Sequence, residues 1–167
     1  YVYSMSETIE RSLRAVQAWV EERNYRGYDP GDGLTSFLRP LTGGTLMGER
    51  ILQQLVWKSP INLRPWIGVR PLESTKGRGF MAGGYARLAA ATGEAVYTAK
   101  ARACLDWLEA AREPGQVGFC WGNHFDFSTR TGRIPAHTPT IVWTSLIGHA
   151  FLDAHDLLPD PRYLEVA

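Results

Sequence analysis

Between Gly118 and Thr140 the chain gathers side chains suited to chemistry: Trp121, Asn123, His124, Asp126 and His137, interleaved with Phe119, Phe125 and Phe127. An aromatic ring takes the apolar face of a sugar, while amides, imidazoles and carboxylates satisfy its hydroxyls at the edge. Asp126, between two phenylalanines, is the candidate acid. Partial desolvation would raise its pKa and suit it to general acid catalysis, whereas Arg130 nearby would hold it ionised. His137, two residues before Pro139, is either a proton shuttle or a hydrogen-bonding loop residue. A buried loop whose rings fill a helical core accounts for the same composition without any chemistry.

Two further segments carry candidates. Asp29 and Asp32 flank Pro30-Gly31, which is how a tight turn is built, since Asp accepts bonds from nearby amides. The sharper reading pairs one of them with Asp126, because sugar chemistry commonly uses two carboxylates roughly 5 to 9 Å apart. Arg64, Arg70 and Lys76 form a basic set that would grip a carboxylate or phosphate, arginine offering bidentate geometry; ordinary solvated charges are the plain alternative. Trp66 and Trp121 are the candidate ring platforms, with Trp57, Trp107 and Trp143 assigned to the core. His124, His137 and Asp126 match no compact zinc spacing, so neither a metal nor another cofactor is expected.

Helices must position these groups. Ser4 and Glu7 have capping-box spacing, and Ile9, Leu13, Val16 and Val20 share one face of a helix ending near Asn24. Tyr25 to Pro40 is loop with one short helical turn, and a second helix runs from about Thr45 to Trp57. Ile61 to Ser74, broken by Pro65 and Pro71, is a long connection. Further helices span Thr75 to Ala91 and the segment after Gly93 up to Arg112. A fifth has Thr138 as N-cap, Pro139 at its first position and Leu158 near its end, and is apolar nearly all round, as for a helix buried on several sides. Asp160-Pro161 opens a sixth.

With no convincing strand, this is an all-α chain of three antiparallel helical hairpins. Alternate connections of antiparallel helices share an end, so Ile61 to Ser74 and Glu113 to His137 should meet at one rim. By the same parity Tyr25 to Pro40 belongs at the other end, unless its helical turn carries the chain back.

The formal charge of +1, with both signs mixed along the chain, argues against a nucleic-acid surface. No apolar run reaches about 18 residues, so no membrane span is expected. Two cysteines, Cys104 and Cys120, suit a reduced, cytoplasmic setting. At 167 residues the chain fits one helical domain. Its last residues follow a fresh helix start, as in a piece of a larger protein, and the oligomeric state is left open.

Gly27-Tyr28-Asp29-Pro30-Gly31-Asp32-Gly33-Leu34, Asn62-Leu63-Arg64-Pro65, Arg70-Pro71-Leu72, Lys76-Gly77, Gly118-Phe119-Cys120-Trp121-Gly122, Phe125-Asp126-Phe127 and His137-Thr138-Pro139-Thr140 together resemble a bacterial and archaeal family of proteins like the six-hairpin glycosidases. The pattern differs at Gly31, where the family carries an aromatic, and at His124. The resemblance implies a partial (α/α)6 toroid, about three hairpins forming its N-terminal half. It also implies a saccharide or polysaccharide ligand in surface-polysaccharide biosynthesis, as an enzyme, a glycan-binding module or a helical scaffold. In that frame Asp126 and His137 would be catalytic. Trp66, Arg64, Arg70, Trp121, Asn123, His124, Arg130, Asp29 and Asp32 would bind substrate.

Overall fold

The computed structural model describes residues 7–167. Ser4 of the expected capping box lies outside the described residues. Among the described residues six α-helices dominate: α1 (Glu7–Glu22), α2 (Leu46–Lys58), α3 (Thr75–Thr92), α4 (Ala95–Ala110), α5 (Ile141–Leu157) and α6 (Arg162–Val166). Four two-residue strands, which no sequence pattern announced, form two antiparallel ribbons. β1 (Arg26–Gly27) pairs with β2 (Leu72–Glu73), and β3 (Phe127–Ser128) pairs with β4 (Arg133–Ile134).

The core is built on α3. Its small residues Gly79, Ala82, Gly83, Ala86 and Ala89 are buried, and a Cβ added at Gly79 would lie 3.1 Å from Ile147 of α5. Small side chains on this face therefore set how closely α3 and α5 approach. Ala101, Cys104, Leu105 and Leu108 of α4 close the other side, and Tyr163 and Val166 of α6 complete the cluster. The α3–α4 link is short because Gly93, at φ 72°, ends α3 in the left-handed conformation. Thus α3 packs on α4 and on α5, and α5 on α6.

Elsewhere the hairpin scheme needs correction. α1 buries no residue, and α2 packs on two 3-10 turns, Asp32–Thr35 and Arg39–Thr42, together with β3. α5 is not enclosed: Ile141 and Val142 are exposed while Ile147, Ala150, Phe151 and Ala154 are buried. It also starts later than the Thr138-Pro139 signal suggests, with Thr140 at its N-cap. Residues 137–140 instead run antiparallel to 121–123: the His137 N–H donates to Asn123 O, the Thr140 N–H donates to Trp121 O, and Gly122 bridges Pro139. A Cβ at Gly122 would sit 2.5 Å from the Thr138 carbonyl oxygen, so the crossing depends on glycine there.

The parity argument fails for Tyr25 to Pro40. Two consecutive left-handed residues, Asn24 and Tyr25, turn the chain out of α1 into β1, and β1 then zips onto β2. All three long connections therefore meet at one end of the helices. Among the described residues, no helix is long and apolar enough to cross a membrane.

Candidate functional site

Where the connections meet there is a cavity of about 400 Å³. The end of α1 contributes Trp19, the β1 segment Tyr25, Tyr28 and Asp29, and the β2–α3 junction Glu73, Lys76 and Phe80. The aromatic loop adds Asn123, His124 and Phe125. The Thr75 hydroxyl donates to Gly122 O, tying the start of α3 to that loop. The expected convergence of Ile61 to Ser74 with Glu113 to His137 is thus present, with a third segment added.

The polar lining is held by ion pairs. Asp29 accepts from the Gly31 N–H at 2.9 Å and from Lys76 Nζ at 3.2 Å, and Lys76 also lies 5.1 Å from the Trp143 ring centroid. Glu73 is engaged by Arg78 at 2.9 Å. Arg78 itself is sandwiched between Tyr25 and Trp107, at 3.7 and 5.1 Å from the ring centroids. Burial, with the neighbouring His137 ring, lowers the His124 pKa, so its imidazole is neutral at neutral pH. Its Nε2 is buried without a partner among the described residues. The two imidazoles meet edge to face at 5.4 Å, and His137 Nδ1 lies 3.3 Å from the buried carboxylate of Glu113.

Of the twelve sequence candidates, Asp29, Lys76, Asn123 and His124 line this cavity. The others lie elsewhere. Trp121 is not a platform: it is 1% exposed, donates from Nε1 to Leu108 O and stacks on Phe151 in the core. Trp66 is 71% exposed on a 3-10 turn, Arg64–Ile67, outside the cavity. Arg64 grips both carboxylate oxygens of Asp32, at 2.7 and 3.0 Å. Burial pushes the Asp32 carboxyl above its ordinary value against the pull of Arg64. The Asp29 amide also donates to Asp32, so this carboxylate is engaged within the turn it builds.

Asp126 takes the alternative to general acid catalysis, a carboxylate held by an arginine. It caps the Ala136 N–H at 2.9 Å and pairs with Arg39 at 2.6 Å. The Ala136 amide and Arg39 hold its carboxyl below the ordinary value despite partial burial. An acid depressed in this way stays ionised and makes a poor proton donor, and the residue holding it is Arg39, not Arg130. Arg130 is exposed in the four-residue turn between β3 and β4. His137 is exposed in a left-handed conformation, φ 63°, and Arg70 lines a second cavity beside the first. Among the described residues, no group of three His, Cys, Asp or Glu side chains is placed to hold a metal ion.

Sequence reasoning missed Trp19, Tyr25, Tyr28 and Phe80. Trp19 and Phe80 sit on helices, where an aromatic reads as core, and only the β1–β2 pairing brings Tyr25 and Tyr28 to the rim. Tyr28 stands within a quoted motif, next to Asp29, and was the signal available. No family model matches the chain, and no curated protein or solved structure matches it either.

Proposed function

We propose that the protein binds a saccharide in the cavity lined by Trp19, Tyr28, Phe80, Asp29, Lys76, Asn123 and His124, as a glycan-binding unit in surface-polysaccharide biosynthesis. The observation carrying this reading is the lining: exposed aromatic rings beside a carboxylate, an ammonium, an amide and a neutral imidazole, in a volume of about 400 Å³. Rings supply area for the C–H face of a sugar, and the polar groups supply both donors and acceptors for its hydroxyls. The family resemblance supports the carbohydrate context and, with it, half of an (α/α)6 toroid.

Binding is favoured over turnover by the state of the carboxylates. Asp29 and Glu73, the two in the cavity, are each paired with a cation, and Asp126 is paired outside it. A glycosidase needs two carboxyl groups free to face the scissile bond. Isothermal titration with neutral oligosaccharides tests the reading. Tyr28→Ala should weaken binding about tenfold or more, in keeping with the loss of one stacked ring, whereas Asp126→Asn should leave it unchanged. Equal binding by wild type and Tyr28→Ala would move the site elsewhere.

A further inference from the structure

A second cavity, about 470 Å³, adjoins the first at Trp19 and Tyr28. Trp19, Arg26 and Tyr28 line both cavities, so a ligand passing over this wall reaches from one into the other. The chemistry changes across it. The first cavity mixes signs, whereas the second is lined by Arg23, Arg26 and Arg70 with no acidic side chain among its lining residues.

These guanidiniums differ from the other cations near this rim. Arg64 is committed to Asp32, Lys76 to Asp29 and Arg78 to Glu73. Arg70 makes no ion pair or side-chain hydrogen bond among the described residues, and Arg26 meets Glu73 only at 3.9 Å. Arg23 does pair with Glu22, but both are solvent-exposed, where such pairs are weak. Its guanidinium is also held over the Trp19 ring at 4.5 Å, against the shared wall. Three arginines converging without a lining carboxylate, in a chain whose net charge is only +1, form a local anion receptor.

Under the saccharide reading on which this rests, we infer that the ligand is an anionic saccharide: a sugar ring occupies the first cavity, and a carboxylate or phosphate substituent crosses the Trp19–Tyr28 wall to Arg70, Arg26 and Arg23. A planar carboxylate or a phosphate monoester takes two N–H donors from one guanidinium, which a hydroxyl does not.

Calorimetric titration of the whole chain with three probes tests it: a neutral oligosaccharide, the same backbone bearing a uronic acid, and the same bearing a phosphate monoester. One charged probe should bind about tenfold or more tighter than the neutral one, with a preference that shrinks as salt rises. Whichever of the two binds tighter identifies the substituent. Arg70→Ala should abolish that preference while leaving affinity for the neutral probe intact, and Arg70→Lys should restore only part of it. Equal affinity for neutral and charged probes overturns the anionic assignment, and an undiminished preference in Arg70→Ala overturns its placement at this arginine cluster, while saccharide binding stands in both cases. No binding of any probe removes the saccharide reading and this inference together.

Discussion

Asp126 accepts from a backbone amide and from Arg39, so its side chain orders the loop it stands in. Asp126→Asn keeps an acceptor for the Ala136 amide and removes the charge facing Arg39. Because Asp126 is about three-quarters buried, the loss should be about 1 kcal/mol, a melting-temperature drop of a few degrees by calorimetry. A loss of glycan affinity instead of stability would return Asp126 to the site. Trp121 carries the same lesson: Trp and Asp in an aromatic-rich loop have the composition of a sugar site whether they face solvent or core. Composition gives the residue types and not the direction in which they point. The left-handed turn at Asn24 and Tyr25, which swings Tyr28 to the rim, has no glycine to advertise it.

At the level of elements, α2 holds the aromatic loop through a buried carboxylate. Glu49 is 1% exposed and accepts from Arg133 through both oxygens, from the Ser128 hydroxyl and from Arg39, which in turn reaches Asp126. Burial opposes its ionisation, but Arg133, Ser128 and Arg39 outweigh that and lower its pKa. Gln53 adds a bond to the Ser128 amide. Glu49→Gln keeps the shape and strips the charge from between two arginines. The expected cost is on the order of 2–4 kcal/mol, less than for a fully enclosed pair because Arg133 reaches solvent. Urea unfolding checks this, and a change below about 0.5 kcal/mol would deny the network its anchoring role. The long helices were legible from apolar spacing, and the start read near Thr45 is fixed in the structure by its side chain accepting from the Gly48 amide. The Glu49 network was not, because Ser128 and Arg133 lie more than seventy residues from Glu49 along the chain. The start of α5 was misread because Thr138 and Pro139 satisfy a cap pattern yet are held in antiparallel pairing with the loop.

Across the whole molecule, the ionisable groups set how stability follows pH. Asp126 and Glu49 have folded pKa values below their ordinary ones. Their contribution is therefore present above the unfolded carboxylate value and lost as pH falls through the folded values. His124, lowered by burial, works in the same direction at higher pH, since the unfolded chain takes up a proton first below about pH 6.5. Asp32, raised by burial, opposes them, its contribution being lost as pH rises. The melting temperature should accordingly fall in two stages on acidification, below about pH 6.5 and again below about pH 4. His124→Gln should flatten the upper stage alone, and an unchanged upper stage would mean that His124 is not its source. At this scale the convergence of two long connections was legible from helix parity. The third connection arrived through the β1–β2 ribbon, whose two-residue strands are too short for any period to register.

The central claim is that a saccharide occupies the cavity beside Trp19, and indole N–H resonances of the nitrogen-15-labelled protein report on it directly. During titration with an oligosaccharide, the Trp19 signal should shift and saturate, while that of Trp121, bonded to Leu108 in the core, stays in place. A Trp19 signal that does not move while saccharide is bound, or movement confined to Trp66, would contradict the account.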